Sequence, residues 1–122
     1  MTTYVDRFFA AVSVLAGDGY IKQRLIRAYA DNLADIDEDE LPVAVKEEFA
    51  DTRKCMHSVA PMNGESPISA SVRKMSAREA SACALALFSI YSELLKQDEG
   101  TQRRPVKKKS TAAPFIVKSI SR

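Results

Sequence analysis

SAREASACALALFSIYSELLK, residues 76–96, is an unbroken helical pattern without Gly or Pro, and the rest of the chain has to pack around it. Ala80, Cys83, Ala84, Leu87, Ile90, Tyr91 and Leu94 recur at three- and four-residue steps, the period of one helix face. Leu85, Phe88 and Leu95 widen that stripe to more than half the circumference, and a helix so apolar is expected to be enclosed by others. Its start is also written locally. Ser76 can accept from the first unpaired backbone N–H groups, and Glu79 can reach back to the Ser76 N–H, a capping box. Arg78, Ser81, Ser89, Ser92, Glu93 and Lys96 remain for solvent.

Working outward toward the N-terminus, residues 39–59 read as a helix whose seam is Leu41, Val45, Phe49, Thr52, Met56 and Val59, stepping by 4, 4, 3, 4 and 3. Pro42 fits its first turn and Asp37 or Asp39 its cap. Residues 60–67, APMNGESP, form a loop with Asn63-Gly64 as turn chemistry. Residues 68–75 make about two helical turns, with Ile68, Val72 and Met75 inward and a bend at Ser76. Nearer the start, residues 3–16 form a helix with Val5, Phe8, Phe9, Val12 and Leu15 inward. Gly17 suits a left-handed position at its end, and Asp18 can cap the next helix, residues 20–34. That helix turns Ile21, Leu25, Ala28, Tyr29 and Leu33 inward. The expectation is an all-α protein: an antiparallel bundle of four main helices plus one short helix. The alternative is a pair of helical hairpins that completes its core only as a homodimer.

The apolar period stops at Lys96, which divides the chain into a helical bundle domain, 1–96, and a flexible basic tail, 97–122. The tail holds seven basic and two acidic side chains, a net +5, whereas the body holds eleven against fourteen, a net −3. A chain of 122 residues is one core's worth, and no apolar run approaches the roughly 20 residues of a membrane span. Residues 1–17 are apolar in helical spacing with Asp6 ahead of the run, which reads as an amphipathic helix and not a leader. Cys55 and Cys83, on apolar or boundary helix positions, read as reduced, buried thiols, and the expected location is cytoplasmic.

The stretches LAGDGYIKQRLIRAYADNL, DELPVAVKEEF and ASVRKMSAREA resemble a family of small bacterial helical proteins with no known activity. The likeness covers about residues 5–95. It implies a bacterial cytosolic origin and transfers no catalytic residue.

Enzyme chemistry finds little to stand on. A phosphotransfer domain would use an exposed histidine on a helical bundle, but His57 is followed by Ser58, Val59, Ala60 and Pro61, so the helix ends there. Cys55 and His57 point about 200° apart on a helix, and Lys54 stands where the glutamate of a Glu-x-x-His metal motif belongs. Gly17-Asp18-Gly19 lacks the spacing of a phosphate loop. Arg73-Lys74-Met75-Ser76 matches a kinase site only superficially, since Ser76 reads as a cap. No catalytic, cofactor-binding or metal-ligating residue is assigned, and no cofactor is expected.

Charge offers the better leads. Asp35, Asp37, Glu38, Asp39 and Glu40 put five carboxylates into six residues, more than helix capping requires. Arg73 and Lys74 are exposed cations on the bundle, and Arg103, Arg104, Lys107, Lys108 and Lys109 concentrate on the tail. These are the candidate partner-binding residues. The expected function is a non-enzymatic helical module that binds a protein partner, with possible self-association as a homodimer. The alternative is a nucleic-acid-associated accessory protein whose tail contacts phosphates without reading bases. A third and weaker reading gives His57 a phosphotransfer or other enzyme-like role.

Overall fold

The computed structural model describes residues 3–103, with side chains as far as Gln97. It is an all-α bundle of α1 (Tyr4–Leu15), α2 (Ile21–Asn32), α3 (Val43–Met56), α4 (Pro67–Lys74) and α5 (Ala77–Arg103), with a 3-10 turn at Glu38–Glu40 ahead of α3. α1 and α2 pack as a hairpin. α5 lies against α1, α2 and α3, and the short α4 bridges α2 and α3. One chain assembles one continuous core. Phe8, Leu25, Tyr29, Leu33, Phe49, Met56, Leu87 and Ile90 are sealed from solvent, and Phe8 meets Phe49 edge-on at 5.6 Å. Among the described residues no helix is long and apolar enough to cross a membrane.

The helix starts follow local chemistry. Ser76 Oγ accepts from Glu79 N at 3.0 Å while Ser76 N donates to the Glu79 carboxylate at 2.8 Å, the box expected for α5. Thr3 and Asp6 make a second such box on α1, and Ser66 caps α4 ahead of Pro67. Met75, extended between α4 and α5, supplies the bend. Asn63 and Gly64 both take positive φ in a turn closed by Glu65 N donating to Met62 O, a conformation that favours these two residue types. Buried Thr52 and Ser71 are satisfied: Thr52 Oγ1 donates to Glu48 O, and Ser71 Oγ accepts from Val59 N.

Several expectations are corrected. The left-handed glycine after α1 is Gly19 and not Gly17, because α1 closes on a tight Gly17 N to Val14 O turn and reverses two residues later. Asp18 does not cap α2; Tyr20 holds that position without a side-chain bond. Asp37 caps the 3-10 turn by accepting from Asp39 N, and α3 starts only after Pro42, whose extended backbone follows an equally extended Leu41. The same helix stops at Met56, short of Val59. α5 passes the boundary set at Lys96 and runs to Arg103. An established helix adds a hydrogen bond with each residue, and one Gly at position 100 costs only about 1 kcal/mol, so helix continues where the apolar pattern has ended.

Candidate functional site

Arginines, not acids, organise the polar parts of the surface. A helix ends with carbonyls that have no intrahelical donor, and here three guanidinium groups supply one. Arg24 donates to Leu15 O at the end of α1 and to Gly19 O. Arg7 donates to Asn32 O and pairs with Asp35 at the end of α2. Arg53, half-buried on α3, does most. Its Nη2 donates to Leu33 O and Ala34 O at 3.1 Å each, its Nε donates to the Tyr29 hydroxyl at 3.1 Å, and its Nη1 pairs with Glu38 at 3.4 Å. The guanidinium carbon also sits 4.7 Å from the centre of the Phe49 ring.

Tyr29 connects this cluster to the only histidine. Its hydroxyl lies 3.2 Å from Nε2 of His57, and the two rings meet edge-on. Burial pushes the phenol above its ordinary pKa, while the hydrogen bond and charge of Arg53 act in the opposite direction. The phenol stays neutral, with Arg53 donating to its oxygen. His57 is the C-cap residue of α3 and exposed, in keeping with a boundary histidine. Arg53 joins the end of α2 to α3, and all of its named partners belong to this chain.

The expected partner-binding residues are distributed differently from one another. Among the described residues, Asp35 is held by Arg7, Asp37 caps the 3-10 turn, Glu38 meets Arg53, and Asp39 pairs with Lys46 at 3.1 Å. Glu40 is exposed beside them. The acidic run is therefore largely engaged within the fold, mostly with arginines and a lysine distant in sequence. Arg73 is clamped by Glu65 through two bonds of 2.7 and 3.0 Å, and its own carbonyl accepts from Lys22. Hydrogen bonding to Arg73, chiefly, lowers the Glu65 carboxyl pKa, and Arg73 is raised in return. Lys74 is exposed at the rim of a groove. Arg103 is described only as the backbone end of α5, and Arg104, Lys107, Lys108 and Lys109 lie outside the described residues, as does all of the proposed tail beyond Arg103.

Two surface features had no place in the sequence reading. The first is that groove, about 520 Å³, between α3, the α4 end and α5. It is lined by Val59, Met75, Ala82 and both cysteines, with Lys54 and Lys74 beside them. Cys83 is buried as expected, but Cys55 is exposed, because it lies one position before the seam residue Met56 and so faces away from the core. The second is an apolar stripe on α5. Leu85 is 68% exposed, Phe88 39% and Leu95 36%, against the expectation that they would be enclosed. Phe9, expected inside α1, is 57% exposed and leans on Tyr91 at 6.1 Å, because Phe8, Ala11, Val12 and Leu15 form the inward face. The signal for the stripe was present as the width of apolar residues around α5; the number of neighbouring helices was not.

Among the described residues no group of three or more His, Cys, Asp or Glu side chains is placed to hold a metal ion. Compared with known proteins, the chain matches no family model, no curated protein and no solved structure.

Proposed function

We propose that the protein is a non-enzymatic helical interaction module that docks a protein partner on the outer stripe of α5. The exposed apolar stripe carries this reading. Leu85, Phe88, Ser92 and Leu95 follow steps of 3, 4 and 3 over about 15 Å of helix, the spacing of a coiled-coil seam. Ser89 and Ser92 lie between them, and the Glu93–Lys96 pair borders the stripe at its Leu95 end. Aromatic-containing patches of this kind are what interface cores are made of. The occupant that fits is a helix with the same stripe, and a second copy of this chain supplies one, related by a two-fold axis so that each stripe meets itself. We place the module in the bacterial cytoplasm, in line with its cysteine usage and the resemblance to small bacterial proteins.

Analytical ultracentrifugation of the full chain tests this. The expected result is a dimer that the pair Leu85→Glu and Phe88→Glu converts to a monomer with unchanged helical circular dichroism. A wild-type chain that stays monomeric up to about 100 μM overturns it.

The charge contrast between the two parts of the chain favours a second reading, nonspecific contact of the basic tail with nucleic acid phosphates. On that reading, affinity for a DNA duplex falls steeply with salt. Neutralising Lys107, Lys108 and Lys109 then flattens the log–log salt slope by up to about 3. Duplex binding indifferent to salt, or none at low salt, removes it.

A further inference from the structure

The groove beside α4 contains the two cysteines of the chain, brought together from α3 and α5. They differ in a way that suits sequential chemistry. Cys55 is exposed on the groove wall, and Cys83 is buried at its base. The two thiols line the same groove, one from α3 and one from α5. Lys54 and Lys74 flank the opening and give it a positive rim, with Glu79 the one acidic side chain of the lining. The remaining wall is small or apolar: Ser58, Val59, Met75 and Ala82.

We infer that Cys55 and Cys83 are a redox-active dithiol, oxidised by thiol–disulfide exchange with an anionic low-molecular-weight disulfide of the oxidised-glutathione class. The accessible Cys55 sulfur attacks one sulfur of the reagent. A Cys55–reagent bond forms, the reagent's own disulfide breaks, and the departing thiolate carries off the proton from Cys55. The Cys83 sulfur then attacks the Cys55 sulfur, forming the Cys55–Cys83 bond and expelling the second reagent thiolate, which takes the Cys83 proton. Two protein thiols lose two electrons, and the reagent disulfide gains them as two thiols. Order follows from exposure. Burial, foremost, together with the neighbouring Cys55 and Glu79, raises the Cys83 pKa, which leaves Cys83 a poor first nucleophile. As the second nucleophile it needs only to reach a sulfur held in the same groove. The product ties α3 to α5 and encloses α4 in the covalent loop between them. This is independent of the outer stripe of α5.

The test uses the full chain, freshly reduced and then exposed to oxidised glutathione, with intact mass and peptide mapping as readouts. The expected product has lost both free thiols, is lighter by two hydrogens, stays a single chain on a non-reducing gel, and joins the Cys55 and Cys83 peptides. Cys83→Ser should stop at the intermediate, retaining one glutathione on Cys55, and Cys55→Ser should leave Cys83 reduced. The wild-type measurement alone can overturn the inference. Glutathione retained on the wild-type chain does so, as do two unreacted thiols or disulfides between chains.

Discussion

The inner and outer faces of α5 are built from the same residue types and meet opposite fates. Leu87, Ile90 and Leu94 are sealed in the core, while Leu85, Phe88 and Leu95 face solvent on the same helix. α1, α2 and α3 close around one side of α5, and no helix among the described residues covers the stripe on the other. The arginines divide similarly. Arg53 is half-buried and meets two carbonyls, a phenol, a carboxylate and a ring, whereas Arg73 meets Glu65 through a solvent-exposed clamp. Side-chain chemistry alone does not say what a residue contributes; the number of neighbours brought to it does.

The largest expected effect is on the inner face. Leu87→Ala should cost about 2–5 kcal/mol, read from the denaturation midpoint, because it leaves a cavity in a packed core. Leu85→Ala should stay within about 0.5 kcal/mol for the monomer. Equal losses from the two leucines would erase the distinction between the faces.

Arg53→Ala comes next, at roughly 2–3 kcal/mol, since it strips the donor from the Leu33 and Ala34 carbonyls and the Tyr29 oxygen together. Arg73→Ala should leave the midpoint near that of the wild type, as exposed ion pairs usually do. A larger loss from Arg73 than from Arg53 would reverse the contrast. Ser76→Ala should cost about 1 kcal/mol by uncapping α5, and an unchanged midpoint would remove that box from the account.

The smallest effects are those of pH, and they have opposite signs. The Tyr29 phenol has a raised pKa in the folded state, so its contribution to stability is complete below the unfolded value of about 10 and is lost as pH climbs from there through the folded value. Ultraviolet titration should show a late tyrosine step above the ordinary phenol value, and Tyr29→Phe should delete that late step. A late step that survives the substitution would assign it elsewhere. Glu65 has a lowered pKa, so its contribution is present above the ordinary carboxylate range and is lost as pH falls through the folded value, with Arg73 released.

What sequence alone determined about this protein is its local order. The Ser76–Glu79 box, the Asn63-Gly64 turn, the seam from Leu41 to Met56 and the inward set on α2 are visible because caps, turns and helix faces depend on residues within four positions of each other. Tertiary structure alone decided the rest. Arg53 meets partners 15 to 24 residues away, so its place at the α2–α3 joint has no local signature. The same holds for the acidic run, whose carboxylates look unpaired in sequence until Arg7, Lys46 and Arg53 arrive from α1 and α3. Cys55 and Cys83 share a groove only because α3 packs on α5, and Phe88 is left to solvent only because no further helix among the described residues does. Helical periodicity specifies which residues share a face; how many faces find a partner depends on the packing of the whole chain.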